Sequence, residues 1–461
     1  MKFYSMNPTT GEPLHTHTAD TLEVLTEKVE QAHSAQLDWA LTPSPKRINS
    51  LQNLKRIVET KMPNIMELIH KETGKLIADI EAEVYDVLDA FDYYSRQYGN
   101  LTMPSVEINS VAFPETQAWL ESEPFGVLAL IMPWNFSFYS PMMFVIAGAT
   151  AGNAIVLKPS EHSTLVGMMI KDLWIEAGLP SELLQVVVGD ESIGRELVKS
   201  CCDKIFFVGS VEGGKDVIAN AGITPVQVEL GGNSAAIVMP DADLGLTAHA
   251  IAWGGTYNSG QDCAGIKRVY AHSSIVTALQ DRLIEIVGTL RKGIDYGPYI
   301  SDEARGVVIK RLTDAQAKGA RILFGGETIN PGFWLNPSVV RIADESISLI
   351  TDETFGNVLP IMSFEDEQSL ITRVNNSKYG LSNAIFSSDN DNATKLGRKL
   401  QAGMIFINDP FVSPVGWDHW TGWKNSGFST MDSKINQCLR KRLFTSSQHH
   451  ENRSFWYPYS S

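Results

Sequence analysis

Cysteine is scarce in this chain: there are four in 461 residues, and two of them, Cys201 and Cys202, are adjacent, a spacing that ordinary disulfide geometry does not bridge. A disulfide framework is excluded, and a reducing compartment, the cytoplasm, is expected. Positive charge is also in deficit. Thirty-eight Lys and Arg against 53 Asp and Glu leave a net charge of −15, with Arg440-Lys441-Arg442 the only short basic run. Nucleic acids need clustered cations, so none is expected as a partner. Long hydrophobic runs are missing too. The best membrane candidate, residues 142–157, is broken by Gly148, Gly152 and Asn153 and is too short to span; it reads as a buried helix, a turn and a buried strand. The opening MKFYSMNPTTGEPL has no apolar stretch of the kind a secretory signal carries. His15 with His17, and His449 with His450, lack further ligands at zinc spacing, no H-E-x-x-H occurs, and residues 389–391 lack the Gly and closing Glu of a calcium loop. No metal is expected.

What remains is an ordinary globular composition, 43% hydrophobic and 20% charged, in a chain long enough for two or three domains. Asn7-Pro8-Thr9-Thr10-Gly11 is a turn, and amphipathic periodicity predicts helices over residues 21–40, 44–74 and 78–98. The apolar Ile80, Val84, Val87, Leu88 and Phe91 of the third are assigned to packing. Alternation over 106–122 predicts a ribbon turning at Pro114-Glu115. Short apolar runs then alternate with helix-length segments, with strands near 126–131, 154–157, 184–188, 204–208 and 226–230. After Asn233 the rhythm repeats near 235–238, 269–271, 321–324, 358–363, 383–387 and 404–407. This pattern predicts two doubly wound α/β domains meeting near Gly231 and Gly232.

Chemistry concentrates in residues 228–268. Glu229 opens the turn Glu229-Leu230-Gly231-Gly232, and 34 residues later Cys263 ends Asn258-Ser259-Gly260-Gln261-Asp262-Cys263. A cysteine nucleophile needs close-approaching backbone and a partner that moves protons, which these glycines and the glutamate supply. Taken singly, such a Cys is as often a small buried hydrophobe, and such a Glu as often a capping or solvated charge. Asn135, in Pro133-Trp134-Asn135-Phe136, sits at a strand's C-terminal edge, where its amide suits either an oxyanion or a helix cap. Lys158-Pro159-Ser160-Glu161 ends the next strand, as a plain surface turn also could. No G-x-G-x-x-G occupies a strand-to-helix turn. Instead Gly209, Ser210, Gly213 and Gly214 lie between strand and helix, with Gly189 one unit earlier, and such a helix start is an anion site. Residues 209–215 also nearly spell a P-loop, the alternative being an NTPase. Asp216 stands where Ser or Thr must hold Mg²⁺, and Glu212 repels phosphates.

Together, and in this order over residues 7–459, these segments resemble the aldehyde dehydrogenase superfamily. The general pattern is also similar to that of its succinate-semialdehyde dehydrogenase branch. The resemblance implies a modified Rossmann cofactor domain (1–105 and 124–231), a catalytic domain (232–433) and a small β element for bridging and oligomerisation (106–123 and 434–461, ending in Phe455-Trp456-Tyr457-Pro458-Tyr459) in a homodimer or homotetramer. It implies oxidation of an aldehyde with NAD, NADP being possible, through a Cys263 thioester that water activated by Glu229 hydrolyses, with Asn135 in the oxyanion hole. Transfer of the acyl group to coenzyme A is the alternative within the fold. Lys158 and Glu161, with Ser160, are placed at the adenosine ribose, and a Glu there favours NAD. Gly189, Gly209, Ser210 and Gly214 are placed at the diphosphate. Glu353 and Phe355, from Asp352-Glu353-Thr354-Phe355-Gly356-Asn357, where Asn357 replaces the family's usual Pro, are placed at the nicotinamide, and Trp134 and Leu230 are placed at the cofactor as well. Residues 375–382 are a further family-like turn, whereas 415–427 agree only at Lys424, Ser426 and Gly427. The implied substrate pocket is Phe136, Ser140, Met143, Asp262, Ala264 and the 417–420 loop with Trp420. That lining is aromatic and lacks Arg, so an uncharged or weakly acidic aldehyde is expected.

Overall fold

Helices Leu22–Leu41, Ser44–Thr73 and Ile77–Leu101 form where the amphipathic spacing puts them. Thr21 caps the first by accepting the Val24 N–H, and Gly74, at φ 72°, ends the second in the left-handed region. Their apolar stripes, including Leu51, Val58, Ile69, Val84 and Phe91, share one core with the first sheet. These observations come from a computed structural model that describes residues 1–101, 107–108, 116–411, 418–428, 432–447 and 457.

The first sheet runs Gly427–Phe428, Val226–Glu229, Lys204–Val208, Val127–Ile131, Ala154–Lys158, Leu184–Val186, parallel throughout except at the outermost pair. Its inner strands are apolar almost without alternation because helices cover both faces. From Val127–Ile131 the chain builds outward through Ala154–Lys158 and Leu184–Val186, then crosses back to Lys204–Val208 on the other side. That reversal opens a crevice at the strands' carboxyl ends, where Trp134-Asn135 and Gly209-Ser210 emerge.

Between Glu229 and Ser234 the chain leaves the first sheet and enters the second, ordered Arg321–Phe324, Ser338–Arg341, Val358–Phe364, Ile266–His272, Ser234–Val238, Ser382–Phe386, Met404–Ile407. Only Arg321–Phe324 is antiparallel. The third sheet joins Glu107–Ile108, Thr116–Pro124 and Leu439–Ser447 in antiparallel pairing, so the ribbon meets the C-terminal segment, with Trp119 and Phe444 stacked at 5.5 Å. The turn at Pro114-Glu115 and, apart from Tyr457, the tail 455–459 lie outside the described residues.

Several strands were not foreseen, some of them in the larger pairings. Lys2–Asn7 pairs with Glu12–Thr18 around the expected turn, in strands so exposed that hydrophobic alternation is absent. Ser338–Arg341, four residues after Pro337, is too short to show a period. Residues 142–157 resolve into the buried helix Tyr139–Ala151, Gly152 at φ 99° and the strand Ala154–Lys158; among the described residues no helix is long and apolar enough to cross a membrane.

Candidate active site

Cys263 ends a loop in which three consecutive residues, Asn258, Ser259 and Gly260, take positive φ (47°, 57° and 70°). Two of these are non-glycine residues, a strain that persists only where surrounding contacts impose it. Those contacts are present. Ser259 Oγ donates to Gly297 O at 2.7 Å, and Gln261 Nε2 donates to Pro298 O at 3.2 Å while its Oε1 accepts the Ile300 N–H at 2.9 Å. A Cβ on Gly260 would meet the Gly356 backbone at 2.2 Å.

Asn135 reaches this loop from the end of strand Val127–Ile131. Its Nδ2 donates to Gln261 O at 3.1 Å, and its own carbonyl accepts from Asn258 Nδ2 at 3.2 Å. An amide nitrogen carries two protons, so the second remains for a ligand. The Glu229 turn closes the group from the other side: a Cβ on Gly232 would lie 2.2 Å from the Cys263 carbonyl oxygen. Glu229 Oε1 is sealed from solvent without a hydrogen-bond partner, and burial raises its pKa, Lys434 acting in the opposite sense. The Cys263 thiol is pushed well above its ordinary value by burial first, then by Asp262, Glu353 and Glu229. Lys267, buried and donating to Gly260 O, opposes this.

The turn holding Glu229 is built from segments whose sequence signal was weak. Gly209 N–H donates to Glu229 O at 3.0 Å, Leu230 N–H to Ser426 O at 2.9 Å, and Ser426 Oγ to Gly231 O at 2.7 Å. Lys424 Nζ donates to the carbonyls of Asn375 and Ser377, tying the 375–382 turn to the same place.

Of the residues assigned to the cofactor, Lys158 is buried with its ammonium 3.5 Å from Glu161 Oε2, which Ser160 Oγ also approaches at 3.5 Å. Burial works against the Glu161 charge, but Lys158 brings its pKa below the ordinary value. Ser210 Oγ caps the helix Val211–Asn220 through the Gly213 N–H, and Asp216 is paired with Arg195 at 2.9 Å. Gly189 and Gly214 are explained by packing, since a Cβ would stand 2.7 Å from Ile193 and 2.5 Å from Leu230. Trp134 and Phe355 meet edge to face at 5.6 Å. Glu353 Oε1 accepts the Gly232 N–H at 3.0 Å, and burial raises its pKa to about 7. Asn357 uses the N–H that a Pro would lack, donating to Tyr299 Oη at 3.2 Å while its Oδ1 accepts from that hydroxyl at 2.7 Å.

The substrate assignments divide. Phe136 and Ser140 are half-buried, Phe136 stacking on Tyr257 at 6.5 Å, and buried Asp262 forms a turn by accepting the Ala264 N–H. Met143 and Ala264 are fully enclosed in the cores of the first and second sheets. Trp420 packs at the edge of the second core, and Trp417 lies outside the described residues. Sequence reasoning missed an acidic wall. Asp79, Glu83 and Asp86 line one face of the helix Ile77–Leu101, and their charges act on Tyr257 together with that of Asp262. Burial, then the charges of Asp86, Glu229, Glu83 and Cys263, raise the Tyr139 pKa. Phe136, Tyr257, Trp253 and Phe411 continue the aromatic lining, with ring separations of 4.9 to 6.5 Å. The i, i+4, i+7 spacing of the three carboxylates was the signal available.

Comparison with known proteins agrees with this geometry. The sequence model of the Aldehyde dehydrogenase family matches residues 1–442. The chain is 31% identical to a 4,4'-diapolycopene aldehyde oxidase of Methylomonas sp, over 99% of this chain and 88% of that protein. It is 30% identical to the peroxisomal aminoaldehyde dehydrogenase 1 of Malus domestica, over 92% and 88%. Among solved structures, betaine aldehyde dehydrogenase from Staphylococcus aureus in complex with NAD+ superposes with a TM-score of 0.94 at 26% identity, covering 99% of this chain and 94% of that one. Lactaldehyde dehydrogenase from Escherichia coli gives 0.93 at 28%, covering 97% and 96%. The match excludes the NTPase alternative: the chain belongs to the aldehyde dehydrogenase family.

Proposed function

We propose that the protein oxidises a cationic aldehyde to its carboxylic acid with NAD+, using Cys263 as nucleophile, Asn135 as oxyanion donor and Glu229 as base. The meeting of Asn135, the Glu229 turn and the Cys263 loop at one point carries the reaction. NAD+, present in the Staphylococcus aureus structure, fits the crevice by its donor set: Lys158, Ser160 and Glu161 for the ribose, Gly209 and Ser210 at a helix start for the diphosphate, and Trp134, Glu353 and Phe355 beside Cys263. Cys263 Sγ, as thiolate, forms a bond to the carbonyl carbon, and the oxygen's new charge is held by the free Asn135 amide proton and the Cys263 N–H. NAD+ supplies the hydride acceptor that turns this adduct into a thioester. Glu229 then takes a proton from water, the water oxygen attacks the thioester, and the C–S bond breaks to release the acid. Transfer to coenzyme A needs water held back, which Glu229 opposes.

The acidic wall supports the cation, in place of the uncharged or weakly acidic aldehyde expected from the sequence. Burial and the neighbouring Asp89 raise the Asp86 pKa to about 6, and no cation pairs with Asp86 among the described residues. An ammonium there gains the Asp86 carboxylate and the faces of aromatic rings, whereas a substrate carboxylate is repelled by Asp86, the Lys75 charge being already engaged by Glu83. Relatives named for aminoaldehydes and for betaine aldehyde are in line with it, while others are named for diapolycopene aldehyde and lactaldehyde, which are uncharged. The test is kcat/KM for an ω-ammonium aldehyde against neutral and carboxylate aldehydes of equal length. At least a tenfold advantage for the cation is expected and should shrink in Asp86→Asn; equal rates overturn the substrate class but leave the reaction standing.

The residue ranges given above for cofactor, catalytic and bridging domains are part of this proposal, as are a cytoplasmic location and a homodimer or homotetramer. Leu439–Ser447 is an edge strand of the third sheet with Leu443 exposed, and an edge of this kind invites pairing with a second copy.

A further inference from the structure

Lys75 and Glu83 form an ion pair in which both residues are only 3% exposed. Two buried charges are seldom retained for stability alone, since apolar residues of similar volume serve at least as well. Their surroundings indicate a different use. Lys75 Nζ also donates to Asn135 O at 3.2 Å and lies 3.9 Å from the centre of the Phe136 ring, while Glu83 holds the ammonium and its second oxygen, Oε2, has no hydrogen-bond partner among the described residues. The pair therefore grips residues 135–136, the segment that presents the oxyanion donor.

The same turn reaches the nucleophile loop. Between Lys75 and Glu83 on this helical stretch, Asp79 faces the backbone amide of Asn258. Gly74 lies so close to Pro298 that a Cβ would stand 2.3 Å from it, and the carbonyls of Gly297 and Pro298 accept from Ser259 Oγ and Gln261 Nε2. Asn135 O is thus held jointly by Lys75 and by Asn258, five residues before Cys263.

We infer that Lys75 and Glu83 are positioning residues for catalysis: through the backbone of Asn135 they fix the oxyanion amide against the Cys263 loop. This rests on Asn135 being the oxyanion donor. A misplacement of about 1 Å in such a group lowers the rate about a hundredfold, so the pair's removal should appear in kcat rather than in binding.

Removing one partner strands the other charge in the interior, so the informative variant is the double, Lys75→Met with Glu83→Gln. Its burst rate of reduced cofactor should fall about 10- to 100-fold, with melting temperature, NAD+ affinity and aldehyde KM close to wild type. A merely structural pair slows catalysis equally in any background, so the double is also combined with Asn135→Ala. If the pair acts through Asn135, it should slow that variant less than threefold further. A wild-type burst in the double, or full additivity with Asn135→Ala, overturns the inference. If Asn135→Ala alone keeps the wild-type burst, the oxyanion assignment itself fails, a separate outcome. Should the double not fold, Glu83→Gln, which leaves Lys75 on Asn135 O, decides: a burst at least threefold slower supports the inference and an unchanged burst overturns it.

Discussion

Gly232 has no room for a side chain because the carbonyl oxygen of Cys263 lies where its Cβ would be, 2.2 Å away. Base and nucleophile are 34 residues apart in sequence, yet the turn that follows one is in backbone contact with the other. Gly232 also donates its N–H to Glu353, so this single position connects the base, the nucleophile and the proposed nicotinamide side. Gly232→Ala should displace Cys263 and lower kcat about a hundredfold. The melting temperature should fall as well, because the obstructing atom is backbone. Activity near wild type would show that the two turns move apart freely.

Cys263→Ala should abolish oxidation while NAD+ affinity, measured by calorimetry, stays within about threefold, because the ribose and diphosphate contacts are untouched. The other thiols lie elsewhere: Cys202 and Cys438 are buried in the core of the first sheet, and Cys201 is on the surface. Turnover that survives the substitution would point to a different nucleophile.

The pH dependence follows from two shifts of the same sign. Burial raises the Cys263 thiol and the Glu229 carboxyl above their ordinary values, so both reach the reactive, deprotonated form at higher pH than in water. Rate should therefore rise with pH from acid through neutral into the alkaline range. In Glu229→Gln, deacylation loses its base: a burst of reduced cofactor should precede a slow steady state that no longer follows the Glu229 limb. An unchanged steady rate would remove Glu229 from the mechanism.

The sequence made the scaffold and the three side chains proposed to react legible because each has a local signature: periodicity for helices, apolar runs for buried parallel strands, glycine turns around Glu229 and Cys263. What it hid is set by distance. Lys75 and Glu83 look like an ordinary charged helix start, and only folding places Lys75 on Asn135 O with Glu83 paired to it. Asp86 reads as a solvated charge until Tyr139 and Tyr257 pack opposite it. Asn357 appeared as a lost Pro, and its compensation, the Tyr299 hydroxyl, is 58 residues away.

Cofactor choice should rest on Glu161. Its carboxylate stands 3.5 Å from Lys158 Nζ at the end of strand Ala154–Lys158, the position proposed for the adenosine ribose. There it accepts hydrogen bonds from ribose hydroxyls and repels a 2′-phosphate. Two unit charges about 4 Å apart repel by roughly 4 kcal/mol at an effective dielectric near 20. Glu161's side chain is 40% exposed, so solvent screening removes much of this, and Lys158 attracts the phosphate. A preference for NAD+ over NADP+ of tens-fold in kcat/KM is the expected remainder, roughly 2 kcal/mol. Glu161→Ser should narrow it mainly by improving NADP+, since it removes repulsion without supplying a new cation. A wild-type enzyme that favours NADP+, or a variant that loses NAD+ turnover without gaining NADP+ turnover, would show that Glu161 does not face the 2′ position.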